Sequence, residues 1–252
     1  MTQAPPELPP APPAGPRGLP PLGVAVWEAV VVYLVGNILL GGIAYAAIRG
    51  TGDDPGAARV IGGLAALDIV FLAAMVVWLA RQHPGAPRAL GIRVTGRAVA
   101  AGLGLGAALY AVVAFGLGEA VIWVLERFSD ATVEVPAQLP DEIGGRVAVL
   151  AVVVVVVLAP VTEELYFRGI LFRSVRDRRG PWLGILVSSL LFGLVHYTPT
   201  DGPGVIVLPL VMVFTGAALA LMYERSANLV VPVAAHMTFN AIGVTLILAG
   251  WA

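Results

Sequence analysis

Residues 159–169 read APVTEELYFRG. They place two adjacent carboxylates, Glu163 and Glu164, and a cation, Arg168, directly after the apolar run 148–158. A charged side chain at bilayer depth costs at least ~2.5–3.5 kcal/mol, so three of them together need a reason. Two more apolar stretches carry polar groups: His196 in LLFGLVHY, and His236 with Asn240 in VPVAAHMTFN. Carboxylate and imidazole together can activate water by taking its proton. Fixed N–H donors can stabilise the oxyanion that such an attack creates. Glu164 and Arg168 stand at i, i+4 in the favoured order and can neutralise each other. Glu163 is rotated by about 100° on the helix and lacks that partner. The spacing therefore assigns Glu163 to chemistry and the Glu164–Arg168 pair to holding the helix.

Other hydrolytic solutions fit less well. There is no HExxH helix motif for a zinc protease. An aspartyl pair needs two intramembrane Asp residues, and only Asp68 qualifies. Ser188 and Ser189 precede His196 on the same stretch, but no glycine-framed serine such as GxSxG occurs. The chain has no cysteine, which removes thiolate nucleophiles and thiolate metal sites. Metal-assisted hydrolysis stays open. Glu163, His196 and His236 could give a divalent ion such as zinc three ligands and leave a fourth position for water. Glu163 could not easily be both a tight ligand and the base.

The elements that must position these groups are membrane helices. The 252-residue chain is 58% hydrophobic and 12% charged, against about 25% charged in soluble domains. Its mean hydropathy is +0.89. An all-α, polytopic transmembrane bundle follows, with a polar cavity around the buried charges. Seven apolar stretches are long enough to span or nearly span: 24–48, 58–80, 98–125, 147–170, 182–198, 205–223 and 229–250. The fifth is short, since a straight span needs ~20 residues. Residues 1–22 are Pro-rich with no apolar core, which predicts a disordered tail rather than a cleaved signal peptide; residues 23–252 form the membrane domain. A net charge of −1 gives no footprint for a nucleic-acid partner.

All fifteen basic residues are Arg, a bias that with Ala, Gly, Val and Pro suggests a GC-rich bacterial genome. They concentrate in 81–97 and 168–180, whereas 126–146 is acidic, with Glu126, Asp130, Glu134, Asp141 and Glu142. Putting the Arg-rich loops inside a cell membrane predicts a cytoplasmic N-terminus and an outside C-terminus. Gly180-Pro181 reads as a helix stop between two antiparallel helices. Glu163 lies seventeen residues before Gly180 and His196 sixteen after, so both would sit roughly 20–25 Å from the turn, at one level. The basic stretch RSVRDRRG predicts a hairpin tip that protrudes from the membrane. Pro160 and Pro232 stand three and four residues before Glu163 and His236, and each frees a backbone carbonyl one turn earlier still, which suits a hydrated cavity. Glu28, Asn37, Asp68 and Glu119 read as inter-helix or interfacial polar residues, and His83 as a loop residue without a role. The glycines of GLGLGA, 102–107, predict close helix packing.

Glu163-Glu164-x-x-x-Arg168, Phe192-x-x-x-His196 and His236-x-x-x-Asn240, in that order, resemble the three-motif signature of the CPBP family. That family contains the CAAX prenyl endopeptidases and bacterial, Abi-type relatives linked to bacteriocin processing or self-immunity. The resemblance covers about 155–245. It implies an intramembrane endopeptidase with a cavity open to the cytoplasm, in a family often named metalloproteases. By motif position, Glu163 and His196 would activate the water, His236 and Asn240 would stabilise the oxyanion, and Glu164, Arg168 and Phe192 would support them. The implied partner is a peptide or membrane-protein segment in the bilayer. Two other classes use similar residues: a proton-coupled transporter, and a non-catalytic immunity or scaffold protein that keeps the fold.

Overall fold

The computed structural model describes residues 18–50, 56–129, 132–133, 135, 143–199 and 202–250. Within them the chain forms α1 (Val26–Arg49), α2 (Gly56–Gln82), α4 (Gly96–Phe128), α5 (Gly145–Arg179), α7 (Pro203–Ser226) and α8 (Val230–Leu248), each long and apolar enough to cross a membrane. Two shorter helices complete it: α3 (Ala86–Ala89), a single turn, and α6 (Pro181–Leu194). The protein is a polytopic helical bundle, as the composition requires. Asp130, Glu134, Asp141 and Glu142 of the acidic loop, and residues 1–17 of the expected tail, lie outside the described residues.

The fifth apolar stretch, expected over 182–198, yields a helix of 14 residues. Pro199 disfavours helical backbone at Thr198, and the chain turns out of the helix after Leu194. His196 therefore sits in the turn beyond α6, not inside an apolar helix. At the other end, Gly180 takes φ 90°, and Pro181 opens α6 at a position where its missing N–H costs nothing.

Close packing of the helices depends on a few glycines. A Cβ on Gly102 would stand 2.7 Å from the Val231 carbonyl, and one on Gly106 would collide with the Ala235 carbonyl. These two residues, four apart, let α4 lie directly on α8, as the GLGLGA motif predicts. Helix α5 departs from regular α geometry. It widens into π turns at Val152–Leu158 and Leu165–Phe172, on either side of Ala159–Glu164. Such turns cluster at functional sites.

One end of the bundle is tied together by arginines. Arg173 donates to the carbonyls of Pro20 and Ala89, at 2.6 Å each, and pairs with Asp177. Asp177 accepts from the Leu22 N–H at 2.9 Å, and Arg178 donates to the Val24 carbonyl. Arg176 makes a two-pronged pair with Glu224. Arg93 and Asn228 exchange backbone and side-chain hydrogen bonds. The 18–25 segment, the loop after α2, the α5–α6 turn and the α7–α8 turn thus share one end, in keeping with chain alternation across seven helical passes. Residues 18–22 run packed against the bundle, with Leu22 5% exposed. Within the protein the hairpin tip is covered: Arg173, Arg176 and Asp177 are buried beneath the 18–25 segment and neighbouring loops, and of this stretch Arg178 and Arg179 are exposed.

Candidate active site

Polar residues of α5, of the turn after α6 and of α8 converge on a cavity of about 440 Å³ within the bundle. Glu163, His196, His236 and Asn240 all line it. Glu164 lies behind the wall and is fully buried. Its Oε1 accepts from Arg168 Nη1 at 2.7 Å and pairs with His236 Nδ1 at 2.9 Å. Carboxylate oxygens of an ionised Glu only accept, so Nδ1 carries the proton and Nε2 faces away from Glu164. Beyond Nε2 stands Glu163 Oε2, 3.9 Å away. His236 is thus held between the two adjacent glutamates, firmly by Glu164 and loosely by Glu163.

Arg168 is locked from three sides. Besides Glu164 it donates to the Gly216 carbonyl of α7 at 3.1 Å, and its guanidinium lies 4.3 Å over the Phe192 ring. The same ring packs against His196 at 4.7 Å and His236 at 5.8 Å between centroids. Phe192 is therefore an aromatic wall shared by the cation and both imidazoles. Gly216 permits this approach, since a Cβ there would stand 3.1 Å from Phe192.

His196 Nδ1 lies 2.7 Å from the Phe192 carbonyl. A carbonyl can only accept, so Nδ1 donates, and in the neutral ring Nε2 is an acceptor. Asn240 donates from Nδ2 to the Val155 carbonyl at 2.8 Å. That carbonyl is available for a local reason. In the π turn the N–H at i+5 would reach it, and residue 160 is a proline without one. The APVTEE segment thus creates the acceptor that fixes Asn240, three residues before it supplies Glu163.

Among the described residues, three buried polar atoms around the site have no hydrogen-bond partner, Glu163 Oε2, Glu164 Oε2 and Arg168 Nε, as does His83 Nε2 elsewhere. Among the described residues, no three His, Asp or Glu side chains converge to hold a metal ion. As placed, Glu163, His196 and His236 do not make a three-donor site, and Glu164 already occupies one nitrogen of His236. No step below is routed through a metal.

Comparison with known proteins matches this region. Residues 145–242 match the family described as type II CAAX prenyl endopeptidase Rce1-like. The resemblance carried by the three motifs is thereby shown. The Rce1-like segment runs from the start of α5 into α8 and contains every site residue named so far. Over 99 residues the chain is 28% identical to a Bacillus subtilis (strain 168) protein named "Putative membrane peptidase YdiL", covering 38% of this chain and 37% of that one. Over 98 residues it is 34% identical to an "Uncharacterized 24.3 kDa protein" of Escherichia coli, covering 38% and 43%. The chain spans about two fifths of the length of these relatives. No solved structure matches.

Two features escaped the sequence reading. The carboxylate that holds His236 is Glu164, which spacing had paired with Arg168 alone. Asp68 and Asn37, read as inter-helix or interfacial polar residues, line the same cavity as Glu163. Glu28 accepts from the Ala25 N–H at the start of α1, with His83 Nε2 at 3.6 Å. That contact gives His83 a neighbour which its loop position did not suggest.

Proposed function

We propose that this protein is an intramembrane endopeptidase that hydrolyses a peptide bond with water activated by Glu163. One observation carries the reading: the 3.9 Å separation of Glu163 Oε2 and His236 Nε2, both facing a cavity inside the bundle. The gap is too wide for a direct hydrogen bond. Glu163 Oε2 is fully buried in this arrangement, so a water oxygen enters, at about 2.8 Å from each atom, only as the two side chains part.

In this reading Glu163 takes a proton from the water, and the hydroxide adds to the scissile carbonyl carbon. His196, with Nε2 free to accept, orients the water beside Glu163. Glu164 stabilises an imidazolium at His236, much as a buried carboxylate does for a catalytic histidine elsewhere. Nε2–H of His236 and the second N–H of the Asn240 amide then face the developing oxyanion; one such donor contributes ~2.7–4 kcal/mol. Collapse of the intermediate breaks the C–N bond, and the proton held by Glu163 passes to the leaving amine. The substrate is a peptide or membrane-protein segment that reaches the cavity through the bilayer. We keep with this reading a cytoplasmic Arg-rich end.

The test is cleavage of a peptide pool by purified full-length protein in nanodiscs, read by mass spectrometry. Glu163→Gln abolishes cleavage while the protein still inserts and unfolds cooperatively. Turnover by that variant at the normal rate would remove the proposed base. Because the donors as placed do not assemble a metal site, activity survives prolonged chelation; loss on chelation with recovery on adding zinc would overturn the metal-free scheme.

A further inference from the structure

The wall of the cavity formed by α1 and α2 lies outside the Rce1-like segment, and it carries a carboxylate that the hydrolysis above does not use. Asp68 is 8% exposed, and its carboxylate lines the cavity with Glu163. Among the described residues no hydrogen bond or salt bridge holds it. Glu163, a like charge, lines the same cavity.

The charges of the site can be paired one by one. Arg168 offsets Glu164 at 2.7 Å, and Glu163 has His236 Nε2 3.9 Å away. Asp68 is left over. Among the described residues no arginine lines the cavity, and the chain has no lysine. A buried carboxylate without a counter-charge is costly, and an arriving cation removes that cost. Asn37 lines the same wall from α1, where the helix widens into a π turn at Tyr33–Gly41. Such widened turns accompany functional sites more often than structural ones.

We propose that Asp68, with Asn37 beside it, binds a basic side chain, Lys or Arg, of the peptide close to the bond that is cut. The inference rests on the hydrolytic reading and extends it to substrate class. Glu163 and Asp68 share one cavity, so a chain held against the water at Glu163 has its neighbouring side chains beside Asp68. A guanidinium or ammonium there makes a charge-assisted hydrogen bond and relieves the repulsion between the two carboxylates.

The experiment uses the full-length protein in nanodiscs and short apolar peptides that differ at one position: Arg, its neutral isostere citrulline, or Glu. The wild type cleaves the Arg peptide with kcat/KM about tenfold or more above the citrulline peptide, as one charge-assisted bond predicts. Asp68→Asn collapses that ratio towards one, and Asp68→Arg turns the preference towards Glu. A second arm needs no turnover: dye-labelled Arg and citrulline peptides are titrated against Glu163→Gln, and against Glu163→Gln combined with Asp68→Asn. Tighter binding of the Arg peptide to the first variant only supports the inference. An Arg-to-citrulline ratio unchanged by Asp68→Asn overturns it, and so does uniform loss on every peptide, which would mark a proton shared with Glu163 or a structural role. Cleavage by Glu163→Gln at the wild-type rate would instead sink the hydrolytic reading, while the binding arm still reports on Asp68.

Discussion

Two arginines on α5, five residues apart, are equally buried and sit in opposite kinds of surroundings. Arg173, with 0% exposure, has donors spent on two backbone carbonyls, Asp177 and the Tyr223 hydroxyl. The Tyr223 hydroxyl in turn donates to the Leu90 carbonyl. Arg168, with 1% exposure, keeps Nε without a partner, and its neighbours Glu163 and Glu164 each keep an unpaired Oε2. Each such orphan costs about 1–3 kcal/mol. The first cluster saturates itself and fastens four chain segments together. The second leaves valences open around a cavity. Burial alone does not distinguish structure from chemistry here; unfinished hydrogen bonding does.

The sharpest way to break this contrast is to neutralise one member of each cluster. Glu163→Gln keeps the shape but removes the base, and cleavage falls by about 10²–10⁴-fold. Its thermal unfolding in detergent stays near that of the wild type. Arg173→Met does the reverse. It removes from Asp177 its closest cation, leaving Arg176 3.7 Å away, and unfolding stability falls by ~3–5 kcal/mol, as breaking a buried pair does. Activity per folded molecule stays within the error of the wild type. If Arg173→Met lost activity at unchanged stability, the two clusters would not be separate.

A smaller effect sharpens the comparison from the side of packing. Gly106→Ala drives a Cβ into the Ala235 carbonyl, next to His236. Overpacking of that kind costs ~1–3 kcal/mol, and here it also displaces the imidazole, so stability and cleavage fall together. Gly104→Ala, two residues away with nothing within 4 Å of the added methyl, is the control and changes neither. Equal behaviour of the two variants would show that α4 does not set the position of α8.

Much of this was legible in the residues, and the failures have physical reasons. The Glu164–Arg168 pair follows from i, i+4 spacing, because a helix fixes that geometry locally. Gly180-Pro181 gives the hairpin turn, and Gly102 with Gly106 the α4–α8 contact, for the same reason. His236 pairing with Glu164 rather than standing apart from it could not be read, since it depends on how α8 is rotated against α5. The burial of Arg173 and Arg176 was missed because a positive run beside a membrane span normally marks a solvated loop. Here the 18–25 segment covers it, and that segment has no signal beyond two prolines and four apolar residues. Asp68 was visible as a rare intramembrane acid, but its place in the cavity needs the approach of α2 to α5, which no local pattern encodes.

The smallest expected effect concerns the one nucleophile that the sequence kept near the site. Ser188 and Ser189 lie on α6, which precedes His196, and a serine mechanism would need one hydroxyl free and activated. Instead, Ser188 Oγ donates to the Ile185 carbonyl at 3.3 Å, and Ser189 Oγ to Ile185 at 2.7 Å and Leu186 at 3.1 Å. Both hydroxyls are spent on their own helix, and neither residue lines the cavity that holds Glu163. The double variant Ser188→Ala, Ser189→Ala therefore removes two hydroxyl donors bonded within their own helix, worth about 0.5–1.5 kcal/mol each in net stability. Cleavage rates measured beside Glu163→Gln on the same peptides stay at the wild-type level. A fall as deep as that of Glu163→Gln would move the chemistry from the carboxylate to a serine, and the open valences around Glu163 would lose their meaning.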